Sequence, residues 1–319
     1  MADTLTIVIP TYNRIDLLRD CLASLREQTY TDSEIVVVDD GSRENITAFV
    51  DAEFPAARVL KLADNLGFAS AVNAGLREVR TRYVMLLNND MTLEPDCIEK
   101  MLGAVGVDGA DMAAPLVLFK DDPEVVYSAG DRMRKNGRPE AIGFREPLEG
   151  FEPAREVFGV SAGAAIYKKE VFDTVGLFEE RFVAYFEDAD IAFRARLAGF
   201  SAVCVPEARA YHVGSASQDG KTWWRSRQCY RNHVLLVIRC VPWGLLFKYY
   251  FRIMREFFHQ ARMAITSARS EFGLVRALIL FVGVTLSLAW FKPIMLLKRF
   301  EIQRTKKITN AELDRLLSD

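Results

Sequence analysis

Short β-branched runs alternate with helical patterns from residue 5 to residue 118, and this alternation limits the chain to a small set of folds. Strands that are separated by helices must run parallel, so the pattern predicts a mainly parallel sheet with helices on both faces. The predicted strands are Leu5–Ile9, Glu34–Val38, Arg58–Lys61, Tyr83–Leu87 and Met112–Leu118, and the predicted helices are Ile15–Gln28, Ile46–Ala52, Phe68–Val79 and Pro95–Val105.

Polar residues follow the first four predicted strands. Ligands of such sheets bind at the carboxyl ends of the strands, so these residues are the first candidates for a binding site. Each group also resembles ordinary turn or helix-start chemistry when it is taken alone. Four such groups at one edge of the sheet favour a binding site. They are Thr11-Tyr12-Asn13-Arg14, Asp39-Asp40-Gly41-Ser42, Asn65-Leu66-Gly67-Phe68 and Asn88-Asn89-Asp90.

Two common nucleotide-binding motifs are absent from the sequence. No GxGxxG follows the first strand and no GxxxxGK[ST] occurs, which disfavours a dinucleotide-dependent dehydrogenase and a P-loop kinase. A nucleotide site built from acids at strand ends would read the base or ribose through carboxylates and hold the phosphates through a metal. Asp90 is the candidate ligand, because hard divalent cations prefer carboxylate oxygen.

A second candidate site centres on the run Tyr185 to Asp190, which carries three carboxylates in four positions. Like charges this close repel one another unless a cation, a proton or an arginine relieves them. Apolar residues at helical spacing predict an amphipathic helix over residues 186 to 199, in which Asp190 can pair with Arg194 at i,i+4. Acids also favour a helix N-terminus for purely structural reasons.

Asp188 is the carboxylate in this run that points away from the apolar stripe. A loop of small residues, Gly159 to Ala165, precedes it, and a lone histidine, His212, follows after a short strand. A lone histidine is usually a satisfied buried imidazole. The combination with the loop and the free carboxylate nevertheless makes Asp188 the candidate catalytic residue.

Charge is divided unevenly along the chain. Residues 1–220 carry a net charge of −14 and residues 221–319 carry +12, which favours an anionic surface as the partner of the second part, with nucleic acid as the alternative. The five cysteines show no CxxC spacing, so metal clusters and a disulfide scaffold are not expected. This cysteine pattern fits a reducing cytosol, and no charged-then-apolar signal peptide is read before the first strand.

Six strings, read together, resemble the inverting family-2 glycosyltransferases of GT-A fold, and most closely the bacterial rhamnosyltransferase-like members. The similarity covers about residues 4 to 240. The strings are IVIPTYNR, VVVDDGS, NLGFASAVNAGL, LLNND, GLFEERFVAYFEDADIAFRARLAGF and VPEARAYHVGSAS, in this order.

This resemblance implies a role for each matching residue. Asp188 stands at the position of the catalytic base, and Asn89 and Asp90 stand where the D-x-D motif meets the ribose and a divalent metal, Mg²⁺ or Mn²⁺. His212 matches a histidine that completes the metal site in some relatives. Asn88 replaces the first acid of the D-x-D pattern, so metal binding by this motif depends on Asp90. The remaining expected donor-binding residues are Thr11, Tyr12, Asp39, Asp40, Asn65 and Gly67, and the expected acceptor-side residues are Gly163, Glu187, Asp190, Trp223 and Trp224.

The expected reaction transfers a sugar from a nucleoside-diphosphate donor to a hydroxyl of a glycan or lipid-linked glycan, with inversion at the anomeric carbon. The resemblance points to dTDP-rhamnose as the donor and to cell-surface polysaccharide synthesis. Three alternatives stay open: another nucleotide sugar with a polyprenyl-phosphate acceptor, a sugar-nucleotide pyrophosphorylase, and a non-catalytic glycan-binding protein.

The chain is expected to divide into a catalytic domain, 1–220, and a helical region, 221–319. The nucleotide-binding half of the domain is expected at about 1–110 and the acceptor half at 111–220. A long helix is predicted from about Pro242, with cations on one side and apolar residues on the other, as in helices that lie in a membrane interface. A helix packed on the enzyme is the alternative. The predicted cationic stripe is Lys248, Arg252, Arg255, His259 and Arg262, opposite Leu246, Tyr250, Ile253, Phe257 and Ala264.

Residues 277–291 form an uncharged run of 15 residues, shorter than the roughly 18 that indicate a membrane span. Cations follow this run, and a single crossing would leave them outside, against the positive-inside tendency. The sequence therefore predicts peripheral or monotopic attachment to the cytoplasmic face of the plasma membrane. A dimer through the C-terminal helices is a further expectation.

Overall fold

The computed structural model describes residues 5–106, 109–153, 155–214 and 222–319. Each strand and helix predicted between residues 5 and 118 is present, with its ends within about two residues of the prediction. The strands are β1 Leu5–Thr11, β2 Ser33–Asp39, β3 Ala57–Lys61, β4 Tyr83–Leu87, β5 Met91–Leu93, β6 Met112–Phe119, β7 Val126–Ser128, β8 Asp131–Met133, β9 Pro139–Ala141, β10 Ala164–Lys168 and β11 Ala202–His212. The helices are α1 Ile15–Arg26, α2 Ile46–Glu53, α3 Phe68–Glu78, α4 Cys97–Val105, α5 Lys169–Val175, α6 Glu187–Leu197, α7 Thr222–Cys240, α8 Trp243–Lys248, α9 Tyr250–Phe272, α10 Leu274–Arg304 and α11 Asn310–Leu316.

One mixed sheet organises the first two thirds of the chain. Its strand order is β3-β2-β1-β4-β10-β6-β11-β5, and β7 pairs with β6. The pairs among β3, β2, β1 and β4 are parallel, as the βαβ pattern predicts. Beyond β4 the sheet is mixed: β10 runs antiparallel to both β4 and β6, β11 runs parallel to β6, and β5 runs antiparallel to β11.

Alternating side chains of the central strands pack into two separate cores. Ile7 and Ile9 of β1 lie in the core on one face, and Val8 and Val38 lie in the core on the other. Gly75 of α3 lets the helix approach the sheet closely, because a Cβ there would lie 2.3 Å from a methyl group of Val8. Both faces of these strands are therefore buried, which is why they contain runs of valine and isoleucine rather than alternating polar residues.

A small hairpin, β8–β9, stands outside the main sheet. The turn that joins its strands contains Asn136-Gly137, the strongest short-range hairpin signal, with Gly137 at φ +81°. Sequence analysis overlooked this signal.

Helix α6 differs from the prediction in one respect. It was expected to be amphipathic, yet nearly every side chain on it is buried. Asp190 is fully buried and pairs with Arg194 at 2.8 Å and with Arg239 of α7 at 2.7 Å. The charges on this flank face another helix rather than water, so the apolar face alone does not describe how the helix packs.

The C-terminal third folds into five helices among its described residues. The single long helix predicted from about Pro242 is interrupted at Tyr249, which separates α8 from α9, and Gly273 at φ +79° separates α9 from α10. The run 277–291 lies inside α10, which is 31 residues long. Helix α7, which sequence analysis did not predict, packs against both α9 and α10.

Helices α6 to α11 share one hydrophobic core. Arg299 of α10 is 1% exposed and donates hydrogen bonds to the carbonyls of Val237, Ile238 and Val241 at the end of α7. Lys307 N donates to the Leu197 carbonyl at the end of α6. The boundary predicted at residues 220 and 221 falls outside the described residues, but the core on either side of it is continuous.

Helix α10 is long and apolar enough to cross a membrane. By length and composition, an 18-residue window of it has a mean hydropathy of 2.1, and 17% of that window is buried. Five of its exposed apolar side chains recur every four residues, at Leu274, Leu278, Val282, Leu286 and Trp290, and further apolar side chains, such as Val275 and Ile279, are exposed beside them. These side chains form one continuous stripe along a helix whose other side packs on α7 and α9.

Candidate functional site

A cavity of about 350 Å³ lies at the carboxyl ends of the parallel strands. We call it the strand-end cavity. Loops after β1, β2 and β3 and the start of α3 form one wall, while Val183, Ala184 and Trp224 form the other. The predicted site residues that line it are Thr11, Tyr12, Asp40, Asn65, Gly67 and Trp224.

Asp40 ties two of these loops together. Its carboxylate accepts hydrogen bonds from Leu66 N at 2.8 Å and from Gly67 N at 2.9 Å. Burial raises the pKa of Asp40, and the two backbone N–H groups partly offset that effect because they stabilise the charged form. Gly67 adopts φ +89°, which a residue with a side chain rarely does. Asp40 therefore shapes the loop as well as lining the cavity.

Asp39 and Asn89 lie beside this cavity rather than in its lining. Asp39 Oδ1 accepts from Ser42 N at 2.9 Å, and its buried Oδ2 has no partner among the described residues. Asn89 Nδ2 donates to Thr11 Oγ1 at 2.9 Å, which joins the loop after β4 to the loop after β1.

Asp90 and His212 meet because β5 and β11 pair. His212 lies opposite Met91 in that antiparallel pair, so His212 Nε2 comes within 3.3 Å of Asp90 Oδ2. Asp90 Oδ1 is buried and has no hydrogen-bond partner in the described part of the chain. A buried carboxylate oxygen without a partner is the kind of atom that a cation would satisfy.

His212 is held by a backbone group on its far side. Gly214 N donates to His212 Nδ1 at 3.0 Å, so a neutral ring carries its proton on Nε2, the atom that faces Asp90. Asp90 thus fits a divalent cation as it stands, whereas His212 could bind one through Nε2 only in the other neutral tautomer, with the proton on Nδ1 and the hydrogen bond from Gly214 N given up. Within the described ranges, no group of three or more His, Cys, Asp or Glu side chains could hold a metal.

Asp188 lines a second cavity, of about 440 Å³, which we call the Asp188 cavity. Four parts of the chain meet there: the β8–β9 hairpin, the start of α6, and one face each of α7 and α9. Its titratable and charged lining residues are Asp131, Arg138, Glu140, Tyr185, Glu187, Asp188, Arg225, Cys229 and His259.

The Asp188 carboxylate sits at the N-terminus of α6. Its Oδ1 accepts from Ala189 N at 2.7 Å. Burial raises the pKa of Asp188, and backbone N–H groups of α6, the Ser161 hydroxyl and Ala162 N act in the opposite direction because they stabilise the charge. Ser161 and Ala162 belong to the small-residue loop that the sequence singled out. The loop therefore supplies hydrogen-bond donors to Asp188.

The segment that separates the two cavities has an unusual backbone. Val183, Tyr185 and Phe186 all have positive φ, between 65° and 75°. Such conformations are costly for residues with side chains and persist only where the surroundings hold them. Asn232 of α7 does so, because its Nδ2 donates to the carbonyls of Phe182, Ala184 and Tyr185 at 2.7 to 2.9 Å.

Glu187 is the expected acceptor-side residue that the structure brings to the Asp188 cavity. It is 9% exposed, and its Oε2 has no partner in the described chain. Burial, followed by the charge of Asp188, raises the pKa of Glu187 to about 8. Its surroundings therefore favour the protonated form of Glu187.

The other expected acceptor-side residues lie elsewhere. Asp190 is wrong as an acceptor-side residue because it is fully buried in its pairs with Arg194 and Arg239. Trp223 is 8% exposed in the helical core, and its neighbour Trp224 lines the strand-end cavity instead. Gly163 packs against the Asn88 side chain and does not line the Asp188 cavity. Adjacent residues on one helix face opposite ways, which spacing within a motif does not reveal.

A further cavity, of about 690 Å³, shares no lining residue with either of these two cavities. It lies between α3, the residue 174–181 segment and α10, and it contains none of the predicted site residues. Glu179 at its base already pairs with Arg181, Arg239 and Lys298. The predicted site residues that line a cavity are therefore found in the strand-end and Asp188 cavities.

The profile of the family Glycosyl transferase family 2 matches residues 6–176, which is more than half of the chain. The N-acetylglucosaminyl-diphospho-decaprenol L-rhamnosyltransferase of Mycobacterium tuberculosis (strain ATCC 25618 / H37Rv) is 27% identical over 237 residues, which cover 66% of this chain and 76% of that protein. Two further relatives are much longer than the matched region, since this chain spans 26% and 19% of their lengths.

Two solved structures share the fold. GalNAc-T7 with UDP, GalNAc and Mn²⁺ superposes with a TM-score of 0.59 at 14% identity, covering 85% of this chain and 58% of that one. Mannosyltransferase PcManGT from Pyrobaculum calidifontis, in complex with GDP-Man and Mn²⁺, superposes with a TM-score of 0.54 at 16% identity, covering 94% of this chain and 85% of that one.

These matches confirm the predicted fold and the predicted class of enzyme. They lend no support to a sugar-nucleotide pyrophosphorylase or to a non-catalytic glycan-binding protein. The chain belongs to glycosyltransferase family 2 and is a glycosyltransferase of GT-A fold.

Proposed function

We propose that this enzyme transfers a sugar from a nucleoside-diphosphate donor to an acceptor hydroxyl with inversion, and that Asp188 is the general base. One observation carries the proposal: Asp188 faces a cavity that a single strained segment, 183–186, separates from the strand-end cavity. A donor in one cavity and an acceptor in the other would meet at that segment, which is the arrangement that a direct displacement needs.

The strand-end cavity is the proposed donor site. Thr11, Tyr12 and Asp40 would contact the nucleoside, with Asn65 and Gly67 beside them, while Asp39 and Asn89 support the loops from behind. Asp90, with His212, would hold a divalent cation, Mg²⁺ or Mn²⁺. Such a cation, when bound, would neutralise the pyrophosphate and so stabilise the leaving group.

Asp188 would remove the proton from the acceptor hydroxyl. As the acceptor oxygen forms its bond to the anomeric carbon, the bond between that carbon and the pyrophosphate oxygen breaks, and its electron pair leaves with the nucleoside diphosphate. The acceptor proton moves to Asp188. Because a single displacement has no covalent intermediate, one base on the acceptor side is sufficient, and the anomeric configuration inverts.

One relative is named as an L-rhamnosyltransferase of N-acetylglucosaminyl-diphospho-decaprenol and another as an O-antigen biosynthesis protein. These names support a rhamnose donor, which we propose to be dTDP-rhamnose, and a lipid-linked glycan acceptor in cell-surface polysaccharide synthesis. The alternative is another nucleotide sugar with a polyprenyl-phosphate acceptor. The two differ in the donor that binds and in whether the acceptor presents a sugar hydroxyl or a phosphate. Nucleic acid is not a partner in either version.

A lipid-linked acceptor would bring the enzyme to the cytoplasmic face of the plasma membrane. The exposed apolar stripe of α10 supports this attachment, as do the exposed Phe251 and Phe258 on α9. Arg255 and Arg262 are exposed on α9 beside these rings, and cations of this kind attract anionic lipids. Two members of the expected cationic stripe are engaged within the protein, since Lys248 pairs with Asp314 and Arg252 pairs with Asp319.

A donor panel tests the proposal. The purified protein is incubated with nucleotide sugars and Mn²⁺ or Mg²⁺, and thermal unfolding is recorded. The correct donor at about 100 times its Kd should stabilise the fold by about 2.7 kcal/mol, because it binds only the native state. EDTA should reduce this shift if Asp90 binds a cation.

Turnover is the second measurement. The nucleoside diphosphate should be released rapidly only when the acceptor is added, and anomeric inversion in the product can be read by NMR. A protein that no nucleotide sugar stabilises, or a product with retained configuration, would contradict the proposed function.

A further inference from the structure

Asp131 is a carboxylate of the Asp188 cavity to which no motif had drawn attention. It is the first residue of β8, and the backbone fixes its position. Asp131 N donates to the Gly159 carbonyl at 2.9 Å, and Phe158 N donates to the Asp131 carbonyl at 2.9 Å. Gly159 in turn packs on α6, because a Cβ there would lie 2.3 Å from the Ala192 methyl. The strand that carries Asp131 is thus locked to the helix that carries Asp188.

The two carboxyl groups have different surroundings. Asp188 receives donors from Ala189 N, its own backbone, Ser161 and Ala162. Asp131 receives none from any described residue. Hydrogen-bond donors favour the charged form of an acid, so the same cavity holds one carboxyl group that is stabilised as an anion and one that is not.

Among the causes that act on the pKa of the Asp131 carboxyl group, the described residues contribute burial and the charge of Asp188, and no lysine or arginine. Arg138 in the same lining contacts Glu140 at 3.8 Å and Glu256 at 3.8 Å. Arg225 lies over the Tyr185 ring, 5.6 Å from its centroid. The groups that face Asp131 or interact with its charge are Tyr127, Arg138, Glu140, Tyr167, Tyr185, Glu187, Asp188, Arg225, Cys229 and His259.

We propose that Asp131 is a neutral carboxylic acid at pH 7 and that its O–H group donates a hydrogen bond to an oxygen of the acceptor beside Asp188. The cavity would then present one anion, Asp188, to take the proton, and one neutral donor, Asp131, to orient the acceptor. This inference rests on the proposed function in so far as it assigns the acceptor to this cavity.

The electrostatic environment of Asp131 also favours its protonated form. Burial, followed by the charge of Asp188, raises the pKa of Asp131 well above the ordinary value. The buried Tyr167 hydroxyl and Glu187 Oε2 have no hydrogen-bond partner among the described residues, so neither of them donates a hydrogen bond to Asp131 in this structure. Two charged carboxylates in one cavity would moreover repel a phosphate-bearing acceptor.

The protonation state can be measured directly, without activity. An infrared difference spectrum of wild type minus Asp131→Asn at pH 7 should show the carbonyl band of a protonated carboxyl group, which moves when exchanged into D₂O. Subtraction removes the contribution of Glu187, because both proteins retain that residue. Absence of the band would overturn the inference whether or not the enzyme transfers a sugar.

Kinetics tests the role of the proton. Asparagine also donates a hydrogen bond, so Asp131→Asn should retain severalfold more kcat/KM at pH 7 than Asp131→Ala, which should lose roughly tenfold relative to wild type. Wild type should lose activity as pH rises through the raised pKa of Asp131, and Asp131→Asn should not show that loss. Equal impairment in the two variants, with native circular dichroism in the asparagine protein, would overturn the inference.

The two proposals fail separately. If wild type shows no transfer with any donor, the proposed function fails while the infrared band still reports on Asp131. If transfer occurs and Asp131→Asn is as slow as Asp131→Ala, the proposed function stands and Asp131 acts as an anion.

Discussion

Asp188 owes its environment to residues far apart in the sequence. The donors of α6 and of the Ser161–Ala162 loop stabilise its charge, while burial raises its pKa. A carboxylate with a raised pKa is a better base than one in water, provided that it remains deprotonated at the working pH. The balance between burial and hydrogen bonding therefore decides whether this residue can accept a proton.

We expect Asp188→Asn to reduce kcat by about two to four decades, because the amide cannot accept the acceptor proton. Donor affinity, read by thermal shift, should change little, since Asp188 lies outside the strand-end cavity. The matched control is Asp173→Asn, which removes an exposed carboxylate of α5 that pairs with Lys169. Activity of Asp188→Asn within threefold of the control would exclude a base role.

The pH dependence of kcat/KM should also reflect the role of Asp188 as the base. Because burial raises the pKa of Asp188, kcat/KM should fall as pH drops through a value above that of an ordinary carboxyl group. The loss occurs toward low pH because a general base is inactive once it is protonated. An acid limb at the value of a fully solvated aspartate would contradict the buried environment.

Helix α7 is the element that connects the C-terminal third to the chemistry. Asn232 lies on it and is fully buried, and it donates hydrogen bonds to three carbonyls in or next to the strained segment 183–186. Two residues that precede Asn232 on this helix also reach the cavities. Trp224 lines the strand-end cavity, and Arg225 lines the Asp188 cavity. The helix therefore positions the wall between the two cavities.

We expect Asn232→Ala to reduce both stability and kcat. Buried carbonyls that lose their donor cost about 1 to 3 kcal/mol, which urea unfolding would detect. The segment should also relax from its positive-φ conformation, so kcat should fall by more than tenfold. Gln303→Ala is the matched control, because it removes one amide-to-carbonyl hydrogen bond, to Cys240, away from both cavities. If the two variants show equal kcat values, Asn232 has no role beyond stability.

At the scale of the whole molecule, the catalytic sheet and the C-terminal helices form one body. The buried contacts of Arg299 with the end of α7 and the shared core of α6 to α11 make this region part of the enzyme. A truncation near residue 240 would expose that core, so it does not test membrane binding. Surface substitutions on the intact chain are the appropriate test.

We expect the full chain to sediment with anionic liposomes, and the double variant Val282→Glu/Leu286→Glu to remain in the supernatant. The two side chains are 56% and 66% exposed, so the change should not disturb the core, and burying a carboxylate in lipid is unfavourable. Thr31→Glu/Ala52→Glu adds the same charge on exposed positions of the sheet domain and should still sediment.

Repeating the liposome sedimentation at different salt concentrations separates the two contributions to binding. The contribution of Arg255 and Arg262 should weaken at high ionic strength, whereas the contribution of the apolar stripe should not. A full chain that stays soluble with liposomes at low salt would instead favour the expected dimer, which light scattering would detect.

Much of the donor half followed from the sequence. The strand and helix patterns between residues 5 and 118 are local properties of the sequence. Because parallel strands bring their carboxyl ends to one edge of the sheet, the sequence alone predicted that Thr11, Asp40 and Asn65 lie together. The pairing of β5 with β11, which brings His212 to Asp90, could not be read from the chain, because these strands are 109 or more residues apart and have no local signal for each other.

The sequence by itself determined the fold class, because periodicity and motifs lie within short stretches, and it was sufficient to propose the strand-end residues and Asp188 as a site. The tertiary structure decided which charged and aromatic side chains are buried and which reach the cavities. It buried Asp190 in ion pairs, turned Trp223 and Trp224 to opposite sides, and brought Asp131 from an unremarked hairpin to the Asp188 cavity. Burial and long-range contacts control pKa values and access to the cavities, and neither is a property of a short stretch of sequence.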